Sequence, residues 1–213
     1  MKEYHKIQTI FKRNPETKYK TLLYGEYSLP EFEYLKDNIW VFTEKVDGTN
    51  IRIMWNGKDI TFGGKTDNAQ IPSFLVTRLN NLFMSIEQRG KFNDKFGEEG
   101  GVCLYGEGYG AKIQKCGGNY RQDQDFVLFD VKIGNNWLQR EDVEDISNYF
   151  GLAIVPILGK GTLKQMVDIT KNGFNSEWGD FLAEGIVARP ETELRTRSGH
   201  RIITKIKHKD FAK

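Results

Sequence analysis

The chain has 213 residues, 38% of them hydrophobic and 28% charged, with a formal net charge of +2. That length can bury a sizeable core without disulfide or metal staples. The near-zero charge does not announce a nucleic-acid binder, although it can conceal a basic face. Cys103 and Cys116 are too far apart for a CxxC pair and no matching Cys/His pair follows, which argues against a zinc site. Two scattered cysteines and a charged amino terminus without an apolar signal core lead us to expect a reduced, cytoplasmic (intracellular) chain. No run of about 18 apolar residues exists, so no membrane partner is expected.

In chain order, Tyr4 to Phe32 reads as a short helix with irregular extended segments. Trp40 to Phe62 reads as a β-meander with a hairpin turn at Asn56-Gly57. Ser73 to Arg89 carries Phe74, Leu75, Leu79, Leu82, Phe83 and Ile86 at helical spacing, with Ser73 as a candidate cap. Val102–Glu107 and Phe126–Val131 read as buried strands, with a turn at Asn135-Asn136. A helix is expected over Arg140–Phe150, ended by Gly151, and another over Thr162–Lys171 with Thr162 as N-cap. Glu184–Arg189 and Arg201–Lys207 are the last strands. The fold class is therefore α+β, antiparallel β-sheets with flanking helices.

The chemistry begins at Glu44-Lys45-Val46-Asp47-Gly48-Thr49-Asn50, between two strand-like runs. A lysine amine becomes a nucleophile only when neutral, which requires desolvation, nearby cations or a metal. Lys205 and Lys207 could supply the cations, and Asp47 a hydrogen-bond or metal partner. Alone, Lys-x-Asp-Gly reads equally as a surface turn. Lys205-Ile206-Lys207 places both lysines on one strand face, suited to phosphate oxygens or merely to water. Glu184, just before a buried run, could hold a divalent metal or be an exposed strand start. Glu107, between glycines, could accept a ribose hydroxyl or lie in a polar turn. Phe129 could stack on a purine, while plain core packing is the local alternative.

Taken in order, Lys45-Val-Asp-Gly48, Tyr105-Gly-Glu107-Gly, Asp125–Asp130, Glu184-Gly-Ile-Val187 and Lys205-Ile-Lys207 resemble the five nucleotidyltransferase motifs of polynucleotide ligases and mRNA capping enzymes. Thr49-Asn50 and the ending Lys205–Phe211 are more similar to the ATP-dependent RNA ligase 2-like group. The resemblance implies an ATP-grasp-like ligase adenylation domain with ATP and Mg²⁺ (or Mn²⁺) as cofactors. By its motifs, Lys45 forms lysyl-AMP, Glu107 binds the ribose and Phe129 stacks on adenine. Glu184 binds the metal, directly or through water, with Asp47 a second metal candidate. Lys205 and Lys207 contact the α-phosphate and help expel pyrophosphate. Asn50 lies near the triphosphate, and Glu44 helps read the adenine edge through its backbone.

Two departures stand out. These ligases usually carry an arginine in the strand after the nucleophile turn, where this chain reads Thr61–Asp67; Lys65 is the candidate replacement and Arg52 another. The sequence also stops at Lys213, soon after the last motif, with no C-terminal nucleic-acid-binding domain evident. The expectation is one adenylation domain over residues 1–213, with a protein partner able to supply the C-terminal function. RNA ends, in nicked duplex or single strands, are the expected substrate, in an RNA repair setting. A minimal DNA ligase, a GTP-dependent capping guanylyltransferase and a non-catalytic nucleic-acid-end binding module are the alternatives. Lys2, Lys6, Lys12, Arg13, Lys18 and Lys20 with Tyr4 and Tyr19 form a basic stretch that could follow RNA or be a solvated face. Arg195, Arg197, His200 and Arg201 form a second basic loop expected to contact substrate ends.

Overall fold

The computed structural model describes residues 3–211, so Lys2 of the basic stretch lies outside the described residues. The strands and helices run β1 (Gln8–Thr9), β2 (Phe11–Arg13), β3 (Leu22–Tyr27), α1 (Pro30–Tyr34), β4 (Trp40–Glu44), β5 (Thr49–Trp55), β6 (Ile60–Gly63), α2 (Ser73–Phe83) and α3 (Ile86–Phe96). They continue with β7 (Val102–Gly110), α4 (Gly117–Tyr120), β8 (Gln124–Ile133), β9 (Asn136–Trp137), α5 (Arg140–Phe150), β10 (Ala153–Ile154), β11 (Ile157–Gly161), α6 (Leu163–Asn172), β12 (Gly185–Pro190) and β13 (Thr204–Lys207). The mixed α+β class with mainly antiparallel sheets is as expected. The chain forms two compact units: residues 3–5 with 47–155, and residues 6–46 with 156–211. No helix among the described residues is long and apolar enough to cross a membrane.

In the first unit, β10-β8-β7-β5-β6 form a sheet with β9 on β8. Its core gathers Ile51, Ile53 and Trp55 from β5 with Leu104, Phe126, Leu128 and Val131. Leu75, Leu79 and Phe83 of α2 and Val143, Ile146 and Phe150 of α5 fill the same core. The expected helix from Ser73 to Arg89 breaks in two at Met84. Ser85 caps α3 by accepting the Gln88 N–H at 3.1 Å, whereas Ser73 lies inside α2 and makes no side-chain cap bond. Ile86, counted in the apolar stripe, is exposed. Gly151 ends α5 in the left-handed region (φ 67°), as read from the sequence.

In the second unit, β1-β13-β12-β4-β11 form a sheet. Trp40 and Phe42 of β4, Ile186 and Ala188 of β12 and Ile206 of β13 pack against Leu163, Met166 and Val167 of α6. Thr162 caps α6 through a reciprocal pair with Gln165, the expected cap completed by a capping box. The meander reading needs correction at β4. That strand pairs with β12 and β11, while β5 pairs with β6 and β7 in the other unit. The Lys45–Gly48 segment is thus a crossing between sheets, not a hairpin turn. Tyr4 to Phe32 is strand-rich: β2 and β3 pair as a hairpin, and β1 runs parallel to β13.

Candidate active site

In the second unit, β12 lies between β13 and β4, and this order assembles the basic cluster. The register sets Ile186 opposite Glu44 and Gly185 opposite Lys207. Lys45 N–H donates to the Gly185 carbonyl at 2.9 Å, and His208 N–H donates to the Glu184 carbonyl at 2.9 Å. The ends of three strands therefore meet at Glu184. Its Oε2 accepts Lys45 Nζ at 2.6 Å and its Oε1 accepts Lys207 Nζ at 2.5 Å. One carboxylate thus faces two ammonium groups. Lys205 shares the outward face of β13 with Lys207, while Thr204 and Ile206 are buried, as strand alternation requires.

Glu44 has a use that its motif position did not announce. It alternates with Trp40 and Phe42 and points inward. Its carboxylate accepts Ser176 Oγ–H at 2.6 Å and the Glu177 N–H at 2.8 Å. Burial pushes this carboxyl above its ordinary range, and the two hydrogen bonds pull it partly back. Its backbone N–H is spent on the Pro156 carbonyl at 3.1 Å. The period-two pattern Trp40-Phe42-Glu44 was the available signal for this inward carboxylate.

In the first unit, Asp47 lies just before β5, and Asn50, Glu107 and Phe129 lie on the neighbouring strands β5, β7 and β8. Asn50 of β5 sits opposite Glu107 of β7, which sits opposite Val127 of β8. Gly48 has a physical reason for being glycine: a Cβ there would run into the Gly108 carbonyl oxygen and come 2.7 Å from Glu107 Cγ. Gly106 likewise leaves room for the Phe126 ring. Asn50 Oδ1 is buried and has no hydrogen-bond partner, an acceptor left over by the protein's own packing.

Phe129 departs from plain alternation. Tyr105 pairs with Asp130 and Gly106 with Leu128, so Phe129 is the extra residue of a β-bulge. Phe126, Leu128 and Val131 enter the core and Phe129 does not. Its ring lies edge-on to Tyr4 at 5.1 Å, and Tyr4 donates its hydroxyl to Asp130 Oδ2 at 2.7 Å. Tyr4 also meets Tyr105 and Trp137, which stand 5.2 Å apart. Tyr4, for which the sequence left an RNA-following ring and a solvated face open, has its hydroxyl and ring engaged within this aromatic group.

Lys65 is exposed in the loop after β6. Arg52, the other candidate for the absent arginine, is 1% exposed and lies beneath that loop. Its Nε donates to the Gly64 carbonyl at 2.8 Å, and its Nη2 pairs with Asp67 at 2.8 Å. Arg52 thus braces the segment that carries Lys65. In the second basic loop, Arg195, Arg197 and His200 are exposed, but Arg201 is buried and ion-paired with Glu193. Lys12 pairs with Glu26 at 3.5 Å and Arg13 with Asp210 at 3.1 Å, whereas Lys6, Lys18, Tyr19 and Lys20 are exposed.

Among the described residues, no group of three or more His, Cys, Asp or Glu side chains could hold a metal by itself. The donors present suit an ion that arrives with its own oxygen ligands. Mg²⁺ commonly uses one or two carboxylates together with substrate phosphates and water.

A family model described as RNA ligase matches residues 38–207. Among solved structures, one form of a Naegleria gruberi RNA ligase mutant with ATP and Mn superposes with a TM-score of 0.68 at 16% identity, covering 97% of this chain and 56% of that one. Another mutant with ATP and Mn gives 0.63 at 19%, covering 84% and 52%. The Naegleria gruberi RNA ligase with PPi gives 0.64 at 19%, covering 96% and 57%. The chain thus spans a little over half the length of these structures. No curated protein matches.

Proposed function

This chain belongs to the RNA ligase family, and on that footing we propose that it is an ATP-dependent RNA ligase with Lys45 as its nucleophile. It joins 3′-hydroxyl and 5′-phosphate RNA ends. The observation that carries this reading is the Lys45–Glu184–Lys207 cluster, in which a lysine amine sits beside a second cation on a shared carboxylate.

The reaction takes three transfers. Lys45 Nζ forms a bond to the α-phosphorus of ATP, and the bond to the β-phosphate oxygen breaks, releasing pyrophosphate. Attack needs the neutral amine, and Glu184 Oε2, at 2.6 Å, is a nearby acceptor for the departing proton. An RNA 5′-phosphate oxygen then displaces Lys45 from the α-phosphorus, giving RNA-adenylate and returning the amine. Finally an RNA 3′-hydroxyl attacks the 5′-phosphate, loses its proton, and AMP leaves.

These in-line displacements depend on positioning and on neutralising phosphate charge. Lys205 and Lys207 supply fixed cations for the α-phosphate. Glu107 accepts a ribose hydroxyl, Phe129 offers a ring to adenine, and the unpartnered Asn50 Oδ1 can take a donor or cation of the bound nucleotide. Lys65 stands in for the absent arginine as a point charge rather than a planar fork. The similar structures solved with ATP and Mn support ATP and a divalent metal here. Glu184 would hold that metal, directly or through water, together with the phosphates. When bound, the ion neutralises developing charge on phosphate oxygens.

For the RNA itself, the hairpin of β2 and β3 offers exposed Lys18, Tyr19, Lys20 and Tyr24, a mixture of cations and rings that suits a single strand. Repair of broken RNA is the role this chemistry fits, with a protein partner able to supply a further RNA clamp.

The test is incubation with labelled ATP or GTP, followed by denaturing electrophoresis and then sealing assays on RNA and DNA ends. ATP labelling with RNA sealing is expected. Labelling by GTP alone, sealing of DNA ends only, or RNA-end binding without any adduct would each replace this reading by one of its alternatives.

A further inference from the structure

The segment between β7 and β8, Ala111 to Asp123, reaches back to the backbone just after the proposed nucleophile. Asp47 N–H donates to Tyr120 Oη at 3.1 Å, and Gln114 Nε2 donates to the Gly48 carbonyl at 3.0 Å. One side chain accepts and the other donates, so consecutive residues of the turn are gripped through both kinds of backbone polar group. Neither bond depends on which side chains the turn carries, except that Gly48 must stay small against Glu107.

The gripping segment is itself held. Tyr120 is buried, and its ring meets the edge of Tyr109 at 6.0 Å. Ala111 N–H donates to the Arg121 and Asp123 carbonyls at 3.1 and 3.0 Å, closing the loop at its base. Gln124 Nε2 donates to the Ala111 carbonyl at 2.7 Å, and the Arg121 guanidinium pairs with Asp123 and Asp125. These bonds hold the loop at its base, so Tyr120 and Gln114 are carried on a braced segment.

Resting on the reading of Lys45 as nucleophile, we infer that Tyr120, assisted by Gln114, is a positioning residue for adenylylation. It fixes the backbone at Asp47-Gly48 and thereby limits where Lys45, two residues earlier in the chain, can carry its amine. Two residues of chain span at most about 7 Å, so a fixed Asp47 bounds the positions open to the Lys45 backbone. A misplacement of about 1 Å can cost on the order of a hundredfold in rate.

The test compares wild type with Tyr120→Phe, which keeps the ring and loses the hydroxyl that accepts the Asp47 N–H, and with Gln114→Ala. Amide hydrogen exchange of the peptide containing Asp47 to Asn50 reads the grip. Single-turnover formation of the lysyl adduct over a range of ATP concentrations reads its consequence. In Tyr120→Phe, exchange at Asp47 is expected to be about two- to tenfold faster, the change that follows loss of one hydrogen bond. The adduct rate at saturating ATP should fall about ten- to a hundredfold, with half-saturating ATP and the melting temperature nearly unchanged. Unchanged exchange overturns the inference, as does faster exchange with a wild-type adduct rate. If wild type forms no adduct with ATP or GTP, the Lys45 reading falls and the inference falls with it. If wild type forms the adduct and Tyr120→Phe matches it, only the inference falls.

Discussion

Lys45 and Glu184 form an ion pair, Nζ to Oε2 at 2.6 Å, and the other oxygen of the same carboxylate is taken by Lys207. The pair exists because β12 lies between β4, which Lys45 directly follows, and β13, which ends in Lys207. Glu184→Gln keeps the shape and removes the charge that holds both ammonium groups. The rate of adduct formation should fall by about a hundred- to a thousandfold, the usual loss when a fixed electrostatic group is removed from such a site. Single-turnover labelling with ATP checks this, and a Glu184→Gln variant that labels at the wild-type rate would remove Glu184 from the mechanism.

Glu44 should make stability depend on pH in a defined direction. Burial raises its carboxyl in the folded chain, and an unfolded glutamate titrates at about 4.3. Its contribution is therefore fully present below about pH 4.3 and is lost as pH rises through the raised folded value. Glu44→Gln cannot ionise, so it should lack this decline, although its amide meets the Glu177 N–H poorly and lowers stability by a constant amount. Melting temperatures of both proteins from pH 4 to 7 should converge as pH rises, whereas parallel curves would mean that Glu44 does not titrate there.

The two cysteines should behave oppositely towards thiol reagents. Cys103 is buried and its thiol is pushed up to about 11, so only about one molecule in a thousand carries the thiolate at pH 8. Cys116 is exposed. A colorimetric thiol titration at pH 8 should count one fast thiol in the native protein, two after denaturation, and none in native Cys116→Ser. Two fast thiols in the native protein would contradict the burial of β7.

RNA binding should draw on the β2–β3 hairpin. Tyr19 and Tyr24 are 63% and 61% exposed, and Lys171 Nζ lies 5.6 Å from the centre of the Tyr24 ring. Replacing Lys18 and Lys20 by alanine should weaken single-stranded RNA binding and reduce the slope of log affinity against log salt by about 0.7 for each phosphate no longer neutralised. Tyr19→Ala should cost about 1–3 kcal/mol with little change in that slope. Labelling by ATP should be unaffected. Fluorescence anisotropy with a labelled oligonucleotide at several salt concentrations decides it, and identical slopes would place the RNA elsewhere.

Local signals in the sequence carried much of this structure. Gly151 and Thr162 mark the helix boundaries where they occur, because caps act through bonds only a few residues apart. Ser85-Ile-Glu-Gln88 carried the same kind of signal, yet the apolar spacing running past it suggested one long helix. Long-range pairing was not legible. Nothing local shows that β4 leaves β5 for a different sheet, since either partner satisfies a strand's alternation. The lysines and Glu184 were recognisable from motif order, but the carboxylate shared between Lys45 and Lys207 follows from register. The bulge at Phe129, the hydroxyl of Tyr4 on Asp130 and the grip of Tyr120 on Asp47 join residues far apart in sequence, with no periodicity to announce them.

The central claim is that Lys45 becomes covalently bonded to AMP. Mass spectrometry of peptides from protein incubated with ATP and Mg²⁺ tests it most directly. The account predicts AMP on the peptide containing Lys45, removed by hydroxylamine or acid as a phosphoramidate should be, and absent from Lys45→Ala. AMP attached elsewhere, or an undiminished adduct in Lys45→Ala, would contradict it.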